Sequence, residues 1–186
     1  MAKFETALEG HDFNALAGNG FQVSEERNYG YVVLRIRPNT AGAAEALGKL
    51  GIQLPNALSI TGSLETKLVK WISPDEYLIT LPLGQKDAFI KDAKAALEGI
   101  FAAVVDNTGG YSLLKLSGEQ RYAVLAKNCV YDCSKFLTEG KVVSTLFSKA
   151  SAVLYRIDPN NIYLMVRWSF ADYAFNVLEA SSKEFR

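Results

Sequence analysis

The chain contains two passages with the same order of predicted elements, and this repetition limits the folds open to it. The segment from Gly30 to Ile36 resembles the segment from Gly110 to Leu116, and the turn after Trp71 resembles the turn after Arg156. The order strand, helix, two or three strands, helix indicates an α+β fold with two ferredoxin-like (split βαβ) units and mainly antiparallel sheets. Either the two halves are a true duplication, or they are two generic α+β units with chance identities.

Local patterns predict the individual elements. Alternating apolar residues indicate a half-buried strand from Tyr31 to Arg37, and Pro38 ends it. The turn residues 73–76 separate two strands of a predicted hairpin, 66–72 and 77–81. Further predictions are an N-cap at Thr40, helices at 87–97 and from Ser169, a strand at 111–116, a capping box of Ser117 and Gln120 followed by a helix to about Lys127, and strands at 142–149, 152–157 and 162–167.

The predicted elements divide the chain into three parts. Residues 1–27 are expected to form an N-terminal extension, residues 28–103 a first α+β unit and residues 104–186 a second. The boundary is placed in the stretch 99–103, which interrupts the periodic pattern. The two units are expected to pack tightly, either as two domains or as one.

Charge and composition exclude several classes of protein. The chain has 20 Lys and Arg against 20 Asp and Glu, so its net charge is zero, whereas proteins that bind nucleic acids or anionic membranes usually carry a basic excess. With 49% hydrophobic residues in 186, the chain can bury a large core. No secretory leader or membrane span is visible, and two cysteines make no disulfide framework. We therefore expect a cytoplasmic protein with reduced thiols and protein partners.

The motifs that usually carry catalysis are missing or misplaced. The chain has a single histidine, His11, and neither a P-loop nor a dinucleotide-binding glycine motif. Ser112 and Lys115 have the spacing of a β-lactamase nucleophile pair, but on a predicted strand they point to opposite faces. The Tyr-x-x-x-Lys spellings at 111–115 and 131–135 lack a nucleotide fold. We therefore expect no catalytic, cofactor-binding or metal-binding residue on this chain.

The remaining candidates favour packing or docking. Cys129 and Cys133 are expected to be buried, inert thiols rather than a redox or metal site, because no further ligand lies nearby in the sequence. Arg35 and Arg37 share one strand face, which is either a solvated surface or a grip for an anionic group. His11 is expected at the surface. Several aromatic residues are candidates for the core or for a partner surface: Trp71, Tyr77, Tyr155, Tyr163, Trp168 and Phe170.

Five segments in order resemble the gamma-subunit family of heterotetrameric sarcosine oxidase. They are the hairpin from Trp71 to Ile79, Val105–Asp106 with Leu114–Gly118, the stretch from Leu125 to Asp132, Thr145–Leu146 with Lys149–Ala150, and the helix start from Arg167 to Tyr173. In the last segment Trp168 is inserted into the family's Arg-Ser-Phe-Ala-Asp-Tyr pattern. The resemblance spans about residues 28–182.

This resemblance implies a fold related to the folate-binding aminomethyltransferases. It implies a non-catalytic gamma subunit that supports oxidative demethylation of sarcosine to glycine, with transfer of the one-carbon unit to tetrahydrofolate or its release as formaldehyde, and production of hydrogen peroxide. The partners would be alpha, beta and delta subunits. The cofactors FAD, FMN, NAD, tetrahydrofolate and zinc would all lie on those other subunits.

One loop departs from the family pattern. The chain has Asp-Asn-Thr-Gly-Gly-Tyr at residues 106–111, where the family more often shows Asp-Val-Ser-His-Gly-Arg. This departure keeps open the equivalent subunit of an N-methylglutamate or dimethylglycine dehydrogenase complex. A stand-alone folate-binding or aminomethyltransferase-like protein is another alternative, and a purely structural domain with an unrelated partner is a third.

Overall fold

The computed structural model describes residues 5–18 and 20–185, which form two compact units. The central unit is the continuous stretch Asn28–Gly109. The flanking unit combines the segment that ends at Arg27 with the segment that begins at Gly110. The chain therefore enters the flanking unit, builds the whole central unit, and returns.

The described residues form ten strands and five α-helices. The strands are β1 Gln22–Glu25, β2 Tyr29–Ile36, β3 Ile60–Gly62, β4 Leu68–Ser73, β5 Glu76–Pro82, β6 Ala102–Asp106, β7 Tyr111–Ser117, β8 Lys141–Phe147, β9 Ala150–Arg156 and β10 Asn161–Arg167. The helices are α1 Ala43–Lys49, α2 Lys86–Ala96, α3 Arg121–Ala126, α4 Cys133–Phe136 and α5 Ala171–Ser182. Short 3-10 turns occur at Phe13–Leu16, Leu83–Gln85, Trp168–Phe170 and Lys183–Phe185.

The central unit has a five-stranded antiparallel sheet in the order β3-β4-β5-β2-β6. Alternate residues of β2, among them Val32 and Leu34, point into one buried cluster with Leu47 of α1 and Phe89 of α2. This period of two explains why the strand was recognisable in the sequence. The order of strands and helices is that of a ferredoxin-like unit, with β3 added at the edge.

The flanking unit has the same arrangement of strands, except that one edge strand comes from the N-terminal segment. Its antiparallel sheet has the order β1-β7-β10-β9-β8, so β7 occupies the place that β2 has in the central unit. The strand beside β7 is β1, from the N-terminal segment, with Val23 opposite Leu116. The two matched sequence segments thus form equivalent strands, and the predicted α+β fold of two antiparallel units is confirmed.

The units divide the chain differently from the predicted boundaries. The N-terminal segment is no extension, because β1 completes the flanking sheet. The predicted break after residue 103 falls inside β6, whose residue Val105 pairs with Val33 of β2. The observed break follows Gly109, where the Asn107–Gly109 turn ends and Thr108 Oγ1 accepts a hydrogen bond from Tyr31 N at 3.1 Å. Both boundaries depend on pairing between distant strands, which local sequence patterns do not show.

Most predicted elements are present, and the differences lie at helix starts. The hairpin is confirmed as β4 and β5, joined at Pro74 and Asp75. The predicted capping box is wrong: Ser117 ends β7, and α3 begins after Gln120, whose side chain makes no cap hydrogen bond. The predicted cap at Thr40 is also wrong, since α1 begins after Gly42. The C-terminal helix starts as a 3-10 turn and becomes α-helical at Ala171.

We predict that Gly118→Ala destabilises the flanking unit by about 2–3 kcal/mol. Gly118 has φ +89°, and a Cβ there would overlap the carbonyl oxygen of Gly20. That oxygen accepts a hydrogen bond from Gln120 N at 2.8 Å, which ties the N-terminal segment to the start of α3. The free energy of unfolding in urea measures the loss.

Gly140→Ala is the matched control for this prediction. Gly140 has φ +80°, but its Cβ would meet nothing within 4 Å. It should cost only the positive φ, about 1 kcal/mol. Equal losses in the two variants would contradict the prediction, because they would show that close approach to Gly20 adds nothing.

Candidate docking site

A surface groove lies at one end of the central sheet. It contains Arg35 and Arg37, the two arginines that the sequence indicated as a possible binding site for an anionic group. It has a volume of about 370 Å³ and is lined by Arg35, Ile36, Arg37, Asp75, Phe101, Ala102 and Ala103. The β4–β5 turn closes against the end of β2, where Ile36 N donates to Asp75 O at 3.0 Å. The groove is therefore built from the end of β2, this turn and the start of β6.

The two arginines of the groove differ in their electrostatic surroundings. Arg35 Nε lies 3.4 Å from Glu76 Oε2, and its Nη2 lies 3.8 Å from Asp75 Oδ1. Arg37 is exposed, and within the described residues its guanidinium takes part in no ion pair or hydrogen bond. Arg35 is thus balanced by carboxylates, and Arg37 is the cation in the groove that can accept an anionic partner.

An exposed aromatic residue stands beside these charges. Phe101 is 89% exposed, although a phenylalanine in a monomer usually buries most of its ring. Along β6, Ala103 and Val105 alternate with Ala102 and Val104, and only the latter pair packs against the core. Val105 is itself 49% exposed. Phe101, Ala103 and Val105 therefore form an exposed apolar stripe, which we call the β6 stripe.

Strand β6 also has an open backbone edge. It is the outermost strand of its sheet, and Asn107 N donates to Tyr31 O at 2.8 Å. Antiparallel pairing alternates, so the amides of Ala103 and Val105 face β2, while those of Ala102 and Val104 face outward. Within residues 5–18 and 20–185 no backbone hydrogen bond reaches these outward groups. Exposed edges are usually protected by lysine or proline, and residues 101–105 contain neither.

The loop that departs from the family pattern is held by local contacts. Asp106 Oδ2 accepts from Lys86 Nζ at 2.6 Å, and Asp106 Oδ1 accepts from Thr108 N at 2.9 Å. Beyond the loop, the Arg167 guanidinium lies 4.6 Å from the centre of the Tyr111 ring. Asp106 and Tyr111 therefore have structural partners that do not require the family's histidine and arginine.

The three Ser-x-x-Lys and Tyr-x-x-x-Lys motifs of the sequence do not form catalytic sites in the structure. Ser112 is buried, and Lys115 on the opposite face of β7 pairs with Glu26 at 2.7 Å. Lys135 Nζ lies 5.0 Å from the centre of the Phe136 ring. The strand geometry that argued against the Ser-x-x-Lys spelling is confirmed.

The two cysteines interact with each other in the flanking unit. A hydrogen bond with Cys133 lowers the pKa of Cys129 against the opposing effect of burial, and the same bond together with burial raises the pKa of Cys133. Cys133 is buried in the core of the flanking unit and Cys129 packs against it. Within the described part of the chain, no group of three or more His, Cys, Asp or Glu side chains could hold a metal ion. Both cysteines contact the apolar core of the flanking unit.

His11 links the N-terminal segment to the last helix. Its Nε2 lies 2.9 Å from Asp172 Oδ1, and its ring meets Phe175 edge-on with the centroids 4.6 Å apart. The side chain is partly buried, whereas the sequence suggested a surface residue. The single histidine thus has contacts within the flanking unit that hold two distant segments together.

The central sheet contains a buried lysine that was not predicted from the sequence. Lys70 of β4 is fully buried and donates to Thr80 Oγ1 at 2.6 Å. Burial lowers its pKa from 10.5 to about 7. It shares one face of the sheet with the buried residues Leu68 and Leu78. The only available signal was the alternation of β4, which places residue 70 on the same face as Leu68.

No helix among the described residues combines the length and apolar character needed to cross a membrane.

Comparison with known proteins gives a consistent set of relatives. The model of the family described as "Sarcosine oxidase, gamma subunit family" matches residues 37–184. Sarcosine oxidase subunit gamma of an Arthrobacter species is 29% identical over 156 residues, which cover 83% of this chain and 76% of that protein. The corresponding protein of Corynebacterium sp. (strain P-1) gives the same identity and coverage.

Solved structures with this fold extend the same pattern. A chain of the heterotetrameric sarcosine oxidase from Corynebacterium sp. U-96, in complex with pyrrole 2-carboxylate, has a TM-score of 0.89 at 23% identity and covers 98% of this chain and 96% of its own length. Glycine cleavage system aminomethyltransferase T from Bartonella henselae has a TM-score of 0.63 at 13% identity, covering 89% of this chain and 48% of that one. The expected similarity to an aminomethyltransferase fold is confirmed.

Proposed function

The chain belongs to the sarcosine oxidase gamma subunit family, and we propose that it is the gamma subunit of a heterotetrameric oxidase that demethylates sarcosine to glycine. The family match over residues 37–184 carries this proposal. The 29% identity to subunits named sarcosine oxidase gamma supports it against a stand-alone folate-binding protein. The chain contributes as a non-catalytic subunit.

We further propose that the cofactors of the complex are bound by the partner subunits. FAD, FMN, NAD, tetrahydrofolate and zinc would be held by alpha, beta and delta subunits, in the cytoplasm. The groove of Arg35, Arg37 and Phe101 suits contact with another protein rather than catalysis, because it combines an exposed aromatic ring with a guanidinium, both common in binding hot spots. Its role in this proposal is to attach the chain to the larger subunits.

We predict that a tagged form of this chain, co-expressed with the alpha, beta and delta subunits encoded by its own organism, purifies with them as one complex. The eluate should show flavin absorbance and should produce hydrogen peroxide when sarcosine is added. A tagged form of an unrelated protein of similar size is the control. The proposal would be rejected if no flavoprotein elutes with the chain. A preference for N-methylglutamate or dimethylglycine would move the chain to a sister complex.

A further inference from the structure

We propose that a partner subunit binds by adding an extended segment to the open edge of β6, with an acidic side chain of that segment bound to Arg37. The inference rests on the proposed function and names the surface and the chemistry by which the complex is held. Recognition by strand addition uses backbone hydrogen bonds for affinity and alternate side chains for specificity.

The edge itself is the first support. Ala102 and Val104 present outward backbone groups, and residues 101–105 carry none of the charges or prolines that normally prevent edge pairing. A long apolar edge left open would invite aggregation. We therefore expect this edge to be covered in the functional state of the protein.

The β6 stripe defines the side chains that the added segment needs. Phe101, Ala103 and Val105 lie on one face of the sheet, and the last two pair with Arg35 and Val33. A strand added beside β6 would place every second residue next to this stripe, so those residues should be apolar. The 89% exposed ring of Phe101 is the anchor, because it has the most surface to bury.

The charge of the groove selects an acidic segment. Phe101 and Arg37 line the same 370 Å³ groove, and Arg35 is already balanced by Asp75 and Glu76. A carboxylate that enters the groove therefore meets one guanidinium whose charge is not balanced by any ion pair in the described residues. Arginine binds carboxylates through two parallel hydrogen bonds, so this contact also fixes the register of the segment.

A second copy of this chain fits the edge less well. Pairing two β6 strands would offer Asp106 as the only acidic side chain of the added strand. Asp106 is already bound by Lys86 Nζ at 2.6 Å and by Thr108 N at 2.9 Å. Its charge is therefore already balanced within its own chain, so it attracts Arg37 of a neighbour less than an unpaired carboxylate would. The observations thus favour a different polypeptide.

The test uses the co-expressed complex and three variants of the tagged chain. Phe101→Asp removes the anchor, Arg37→Glu reverses the free charge, and Ala102→Pro removes one outward amide at the first position of β6, where proline is tolerated. Each should reduce the amount of partner retained by at least about tenfold. Phe136→Asp, at a residue 53% exposed on the flanking unit, is the matched control and should retain the partner.

Two further measurements keep the outcomes distinct. Thermal melting of each variant alone shows that its fold is intact, and hydrogen exchange should show slower exchange of the Ala102 and Val104 amides in the complex than in the free chain. The docking proposal is overturned if all three variants retain as much partner as the wild type does. It is also overturned if hydrogen exchange at these two amides is the same in the complex and in the free chain. Self-association of the purified chain that Phe101→Asp abolishes would also overturn it, in favour of a second copy. If the wild-type chain retains no partner, the proposed function has failed instead.

Discussion

Lys70→Met is expected to stabilise the chain by about 3–4 kcal/mol near pH 7. Lys70 is fully buried, and burial lowers its pKa from 10.5 to about 7. Each pKa unit corresponds to about 1.4 kcal/mol, so keeping this ammonium in the folded state at low pH costs about 5 kcal/mol. Methionine fills a similar volume without a charge, and the lost hydrogen bond to Thr80 offsets about 1 kcal/mol of the gain.

The pH dependence gives this prediction its sign. Between about pH 7 and pH 10.5 the unfolded chain holds a proton on Lys70 that the folded chain has released. The unfolded state therefore binds more protons, and stability rises with pH across this window. The free energy of unfolding of the wild type should rise by several kcal/mol between pH 7 and pH 10 relative to Lys70→Met. Denaturant unfolding at each pH measures the difference.

Lys94→Met is the control, because Lys94 lies exposed on α2. Its stability curve should stay within about 0.5 kcal/mol of the wild type at every pH. Parallel curves for the wild type and Lys70→Met would contradict the prediction, since they would show that Lys70 keeps an ordinary pKa inside the sheet.

Local pattern was sufficient for the elements that the chain forms with near neighbours. The β4–β5 hairpin could be predicted because Pro74 and Asp75 favour a turn and the flanking residues alternate. β2 and β7 could be matched because a half-buried central strand imposes the same alternation on both. Each of these features depends on residues that lie close to one another in the sequence.

Pairing between distant segments could not be predicted from local sequence patterns. β1 has four residues, and its partner β7 lies about ninety positions later, so neither propensity nor period marks it. The same limit hid the true end of the central unit, because β6 is defined by its pairing with β2. The burial of Lys70 was hidden for a related reason: alternation assigns a residue to a face but does not say whether that face is covered.

Part of the docking site could be predicted from the sequence, and part of it could not. Arg35 and Arg37 could be placed on one strand face from their spacing of two. Only the folded turn shows that Asp75 and Glu76 balance Arg35 and leave Arg37 available. Phe101 lay in a stretch without periodicity, where exposure cannot be inferred from residue type. An aromatic residue next to an unprotected strand such as Ala-Ala-Val-Val was the one available signal.

The second large effect concerns the N-terminal segment, for which Phe21→Ala is expected to destabilise the flanking unit by about 3–5 kcal/mol. Phe21 immediately precedes β1 and is fully buried in the same cluster as Leu116, Leu164 and Leu178. Truncation removes most of a large side chain and leaves a cavity that the surrounding sheet and helix fill only in part. The free energy of unfolding in urea, read from near-ultraviolet circular dichroism, measures the loss.

Phe136→Ala separates this effect from the general removal of an aromatic ring. Phe136 belongs to the same unit but is 53% exposed, so its truncation should cost less than about 1 kcal/mol. If Phe21→Ala unfolds like the wild type, residues 1–27 would behave as the N-terminal extension that the sequence suggested. Equal losses in the two variants would show that the effect is not specific to the buried ring. The pairing of β1 with β7 predicts a large loss of stability for Phe21→Ala, because the N-terminal segment supplies one of the five strands of the flanking sheet.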